Sequence, residues 1–205
     1  MSFPTIKVCG NTDLKIINLC ISEGAKLIGF IVNYFESPRS ISIDKLKDLV
    51  KNIPENIEKV AVMVNPTIDE IIEVSHNCNT IQLHGNETNE LINKIKKKTS
   101  LKVIKAIKVI EKQDLFHAEQ FPSADIILYD TPSMGQEGDA FNFDLLKDLK
   151  NKNFFLAGKI SKDNVKSALK YTNYIDVNSS LETERGIKDP KKIKEFFLTL
   201  KKYER

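Results

Sequence analysis

The chain has 205 residues, 41% hydrophobic and 29% charged, which suits one folded domain with a sizeable core and excludes a disordered or collagen-like polymer. Thirty-one Lys and Arg against 28 Asp and Glu leave a formal charge of +3, dispersed in mixed clusters, too small and too scattered to argue for nucleic acid. The longest apolar runs, Leu27–Val32 and Val60–Val64, fall far short of the roughly 18 residues that cross a bilayer, and Met1 to Pro4 lead straight into a strand-like segment, so neither a membrane span nor a secretion signal is expected.

Taken in chain order, short β-branched runs alternate with segments whose apolar residues recur at three and four. The first strand is predicted at Ile6–Cys9, followed by a helical stripe of Leu14, Ile17 and Ile21. Leu27–Val32 precedes Ile43, Leu46, Leu49 and Val50, and Val60–Val64 precedes Ile68, Ile71 and Ile72. Thr67-Ile68-Asp69-Glu70 opens that third helix with the S/T-x-x-E pattern of a capping box. Thr80–Leu83 is followed by Leu91, Ile92 and Ile95, and Val103–Ile107 by a weakly marked helix near Glu111–Ala118. Asp125–Tyr129 leads to a helix from about Phe143 to Leu149, Phe154–Ala157 to Val165, Ala168 and Leu169, and Tyr174–Val177 to Ile193, Phe196, Phe197 and Leu200. Eight strands and eight helices with no Pro/Gly/Ser-rich break predict an α/β fold, a single (β/α)8 TIM barrel domain over residues 1–205. A doubly wound open sheet is the alternative, and the glycine-rich nucleotide signatures that would support it do not follow the first strand.

In such a barrel the chemistry sits at the carboxyl ends of the strands. Strand one ends Lys7-Val8-Cys9-Gly10, and alternation puts Lys7 and Cys9 on one side, so Cys9 lies at the mouth if Lys7 faces inward. A free thiol, with a pKa of about 8.5, becomes a base or nucleophile when nearby positive charge favours the thiolate; the competing reading is a small buried hydrophobe. Cys20 and Cys78 read as structural, and three cysteines without a C-x-x-C spacing predict a reducing cytoplasm rather than a disulfide framework or zinc site. Strand six delivers Asp130 to the rim after an apolar run, where partial desolvation lets a carboxyl hold a proton to donate, unless it caps a helix or pairs with Lys7. Arg39, in the loop after strand two, has the geometry to grip a carboxylate or lies in solvent. His84 closes strand four and could be acid, base or a satisfied polar residue. Gly158-Lys159 and Ser179-Ser180, after strands seven and eight, stand where many barrels cradle phosphate, with helix capping as the plainer reading.

As an ordered set, Lys7-Val8-Cys9-Gly10, Gly29-Phe30 with Ser37-Pro38-Arg39-Ser40-Ile41-Ser42, Gln82-Leu83-His84-Gly85-Asn86-Glu87, Asp130-Thr131, and Asp176-Val177 leading to Ser179 and Glu182 resemble the phosphoribosylanthranilate isomerase family over essentially the whole chain. The resemblance implies an Amadori-type aldose-to-ketose isomerisation in tryptophan biosynthesis, on a small phosphorylated substrate, with no metal and no cofactor. It assigns Asp130 as general acid, Cys9 as general base and Arg39 to the substrate carboxylate. It departs from the family pattern at Lys159 and Ser180, which stand where glycines are usual, and in Gly135-Gln136-Glu137-Gly138-Asp139-Ala140-Phe141, where Asp139 replaces a common lysine.

Two rivals remain open at this point. Another phosphosugar barrel shares the fold, but a metal-dependent epimerase would want more His and Asp ligands than His76, His84 and His117 promise, and an indole-glycerol-phosphate synthase would want a rim lysine such as Lys7 or Lys105. A non-catalytic barrel of the same family would bind ligand without turnover. A dimer face and an ordinary surface patch look alike in sequence, so oligomeric state is left open.

Overall fold

A computed structural model describes residues 3–132 and 139–202. Eight parallel strands form the barrel: β1 (Thr5–Val8), β2 (Leu27–Val32), β3 (Glu58–Met63), β4 (Thr80–Leu83), β5 (Lys102–Lys108), β6 (Ile126–Asp130), β7 (Phe154–Leu156) and β8 (Tyr174–Val177). Each pairs with its neighbour in sequence, and β1 closes the ring by pairing with both β2, Lys7 opposite Leu27, and β8, Lys7 opposite Asp176. All eight predicted strands are present, three with the predicted ends and five displaced by one or two residues. A two-residue strand, Ser40–Ile41, extends beside β2, and an antiparallel pair, Glu182–Glu184 with Ile187–Lys188, stands on the rim after β8.

Alternation along the strands makes two cores. Leu27, Val60, Val62, Ile104, Ala106, Leu128 and Phe155 fill the barrel interior together with Cys9. The other face of the same strands, through residues such as Ile6, Val8, Ile28, Ile81 and Val103, packs against the surrounding helices. Lys105 shares that outer face with Val103 and Ile107, so it lies between sheet and helices, bonded to Glu87 at 2.7 Å and beneath the Phe121 ring, and is no rim acid.

Helices α1 (Leu14–Glu23), α2 (Ile43–Val50), α3 (Ile68–Ser75), α4 (Asn89–Lys98), α5 (Val165–Ala168) and α6 (Pro190–Lys201) follow β1, β2, β3, β4, β7 and β8. Asp13 caps α1 by accepting from the Lys15 and Ile16 amides, and α3 carries the full capping box of Thr67 and Glu70. Helix α6 buries Ile193, Phe196, Phe197 and Leu200, each worth about 1.5–3 kcal/mol.

The fifth and sixth connections correct the sequence reading. They are 3₁₀ segments, Lys112–Gln120 and Phe143–Leu146, and the second is only half the expected length. Lys112–Gln120 buries Leu115 alone, so too little apolar surface is available to hold a regular α-helical stripe. The seventh helix is a single turn.

Candidate active site

Lys7 of strand β1 and Cys9, the residue just after it, face inward, as alternation requires. Lys7 is completely buried and Cys9 is 5% exposed, its amide held by the Val177 carbonyl at 2.9 Å. Space for both comes from Gly29 on β2: a methyl group there would stand 3.1 Å from Cys9 Sγ and 3.2 Å from Lys7 Cε. Lys7 Nζ donates to Asp176 Oδ2 at 2.9 Å, so the inner partner of Lys7 is Asp176 of β8, not Asp130. Burial pushes the Cys9 thiol up; Lys7 and Lys188 oppose that, while Asp176 adds to it.

Asp130 ends β6, buried, with Oδ1 accepting from the Thr131 amide at 2.7 Å. This bond fixes the carboxyl at the start of its loop and caps no helix. His84 stands beside it, Nε2 lying 3.4 Å from Asp130 Oδ2 without a formed hydrogen bond, while Nδ1 pairs with Gln82 Nε2 at 2.8 Å. Asn11 ties the first two strands together, donating through Nδ2 to the carbonyls of Val8 and Gly29.

Among the described residues, the buried side-chain atoms left without a hydrogen-bond partner are Asn11 Oδ1, Gln82 Oε1, His84 Nε2 and Asp176 Oδ1. All belong to residues on or just beyond the carboxyl-terminal halves of β1, β4 and β8. An orphaned buried polar atom costs about 1–3 kcal/mol, so their convergence at one end marks a place built to be completed by a polar ligand. No group of three or more His, Cys, Asp or Glu among the described residues is arranged to hold a metal ion.

Arg39 is neither a solvated loop residue nor free to receive a ligand on its forked edge. It is 4% exposed, its stem passes over Gly10, and Nε and Nη2 donate to the two Glu182 oxygens at 2.8 and 2.6 Å. Lys188 reaches the same carboxylate at 3.4 Å and Asn178 Oδ1 at 2.9 Å. Two buried cations thus share one carboxylate. Burial pulls the Glu182 carboxyl up, but Arg39, Lys188 and the Gly186 amide outweigh it and hold the group below its usual range.

The loops after β7 and β8 meet at the rim. Gly158 has φ +89°, and a Cβ there would lie 2.6 Å from Thr131 Cγ2, so only glycine fits. Lys159 follows with φ +55°, so a residue other than glycine occupies the left-handed conformation here. Ser179 and Ser180 open a short 3₁₀ turn, and Ser180 Oγ donates to the Ile160 carbonyl, tying the two loops together. Asp139 is exposed, and Gly135 to Gly138 of the preceding segment lie outside the described residues.

Sequence reasoning placed Cys9, Asp130, His84, Arg39 and the two loop pairs at one end of the barrel, where the structure puts them. It assigned no site role to Asp176, Glu182, Lys188, Gln82 or Asn11. Alternation could have found Asp176 and Gln82, which share inward parity with Tyr174 and Thr80, but the Arg39–Glu182 pair spans 143 residues and has no local signal.

Residues 6–199 match the family model for N-(5'phosphoribosyl)anthranilate (PRA) isomerase. The N-(5'-phosphoribosyl)anthranilate isomerase of Petrotoga mobilis is 37% identical over 199 residues, 93% of each chain. The phosphoribosyl anthranilate isomerase structure from Thermotoga maritima superposes with a TM-score of 0.87 at 31% identity, covering 97% of this chain and 99% of that one. Another such isomerase, solved in complex with reduced 1-(o-carboxyphenylamino)-1-deoxyribulose 5-phosphate, aligns at TM-score 0.84 and 29% identity over 97% of this chain and 99% of its own. A family match across the whole ring of strands, joined to identity above 30% along nearly the full length, means that the chain belongs to the N-(5'-phosphoribosyl)anthranilate isomerase family, the aldose–ketose isomerases of tryptophan biosynthesis.

Proposed function

We propose that Cys9 and Asp130 are the base and acid of this isomerisation. Asp130 protonates the furanose ring oxygen; the ring carbon–oxygen bond breaks and the nitrogen lone pair forms an iminium. Cys9 as thiolate then takes the C2 proton, and the electrons left behind move into the iminium to give an enolamine that tautomerises to the ketose. Each group contributes on the order of 10²–10⁴-fold. The observation that carries this reading is placement: Cys9 and Asp130 leave β1 and β6, strands separated in the ring by β7 and β8, at the same rim, so a sugar between them meets an acid and a base from different sides.

The remaining polar groups suit the ends of the same substrate. The ligand of the related complex carries a carboxyphenyl group and a phosphate. Arg39 and Lys188, two cations on one carboxylate, favour a second anion, with Arg39 Nη1 left to reach it. Gly158, Lys159, Ser179 and Ser180 offer backbone amides and the Ser179 hydroxyl to the phosphate, and His84 faces the sugar beside Asp130. We infer further that the protein works in the cytoplasm as one barrel domain over residues 1–205, on a small phosphorylated molecule and not on nucleic acid.

Generating phosphoribosylanthranilate in situ and following anthranilate-ring fluorescence tests the assignment. Turnover by the wild type, lost by more than about 100-fold in both Cys9→Ala and Asp130→Asn with the fold retained, supports it. A folded wild type that binds the reduced product analogue without turnover favours the non-catalytic barrel.

A further inference from the structure

Lys7 heads the largest side chains with almost no exposed surface. A fully buried ammonium persists only where counter-charge and acceptors hold it. Asp176 Oδ2 supplies one acceptor at 2.9 Å, and Asp176 Oδ1 makes no hydrogen bond. Cys9 Sγ and Lys7 Cε flank the same missing methyl of Gly29, at 3.1 and 3.2 Å, so the end of the lysine side chain and the sulfur are neighbours in the inner layer of the barrel. The Lys7 charge is the largest influence opposing the burial that pushes the Cys9 thiol up.

Other charges facing this pocket are accounted for. Lys188, from the rim pair after β8, shares its charge with Glu182, and Arg39 turns Nε and Nη2 to the same carboxylate. Asp130 and His84 act on Asp176 with opposite sign. Lys7 is therefore the cation placed to balance a charge on Cys9, and Asp176 is its competitor.

We propose that Lys7 is the positioning residue that makes Cys9 a base: its buried ammonium is the counter-ion of the thiolate, and Asp176 holds it in place while limiting how much of its charge Cys9 receives. The Cys9 proton leaves to water through the mouth, the electron pair stays on sulfur, and Lys7 remains protonated throughout. The inference rests on the reading of Cys9 as the base.

Thiolate absorbance near 240 nm, followed against pH, tests it, each protein being blanked with its Cys9→Ala counterpart. Cys20 and Cys78, pushed up to about 12 by burial, stay silent over the working range. Lys7→Met is expected to raise the Cys9 midpoint by about one pH unit or more, and to carry the rising limb of the kcat profile upward by the same amount with little change in KM. Asp176→Asn is expected to lower the midpoint. The isosteric pair Lys7→Met with Asp176→Asn leaves no stranded charge, which protects the fold, and its midpoint is expected above that of the wild type. Folded Lys7 variants, single or paired, whose midpoint stays at the wild-type value overturn the proposal. Retained turnover in Cys9→Ala overturns instead the reading on which it rests, so the two failures are distinguishable.

Discussion

Lys159 shows one residue held in a backbone conformation that its side chain disfavours. Asn33 and Asn65 also have positive φ, their carboxamides bonded to Glu70 and to the Asn86 amide, and asparagine enters the left-handed region more readily than lysine does. Comparing Lys159→Gly with Lys159→Ala cancels loss of the side chain; the glycine variant is expected to be the more stable by about 0.5–1 kcal/mol in urea unfolding, part of the relief being offset by glycine's greater unfolded-state freedom. Gly29 is the converse case. A methyl 3.1 Å from Cys9 Sγ and 3.2 Å from Cys9 Cα must push on the backbone that carries the base. Gly29→Ala is expected to cost about 1–3 kcal/mol, and steady-state kinetics should show kcat falling more than KM rises.

Among the elements, α3 is the one whose start the sequence states outright. Thr67 Oγ1 accepts from the Glu70 amide, the Glu70 carboxylate accepts from the Thr67 amide at 2.9 Å, and Asn33 brings the loop after β2 to the same carboxylate. The Thr67 amide and Asn33 hold the Glu70 carboxyl below its ordinary value. Thr67→Ala is expected to destabilise by about 1 kcal/mol, measured as a shift of the urea midpoint at unchanged slope. The 3₁₀ segments after β5 and β6 show the opposite limit. Their apolar residues suggest helices, but Lys112–Gln120 buries a single large side chain, and i,i+3 hydrogen bonding suffices to connect two strands over so little core.

At the scale of the whole molecule, the Glu182 carboxylate joins elements from the two ends of the chain. It binds Arg39 of the loop after β2, Lys188 of its own hairpin and the Gly186 amide, and so ties that hairpin to the loop after β2. Its pKa is lower in the folded state than the 4.5 of a free glutamate. The contribution is therefore fully present above about pH 4.5 and is lost as pH falls through the folded value. Unfolding measured from pH 6 to pH 3 should show that loss in the wild type, and Glu182→Gln should flatten this part of the profile while costing about 1–3 kcal/mol at neutral pH. A wild-type profile identical to that of Glu182→Gln would falsify the link.

How much was legible in the chain follows from the range of the forces involved. Strand count, barrel closure, the alternate helices and the inward parity of Lys7 and Cys9 depend on period-two and period-3.6 burial, which neighbouring residues state for themselves. Cys9, Arg39, His84 and Asp130 could be placed at one rim because a parallel strand delivers its last residue to a known end. Tertiary structure alone decided that Lys7 meets Asp176 rather than Asp130, that Arg39 is held by Glu182, and that four polar atoms are left orphaned around one opening. Those outcomes depend on which strand lies beside which and on contacts spanning up to 169 residues, where charge and hydrogen-bond geometry act through space and leave no trace in local order.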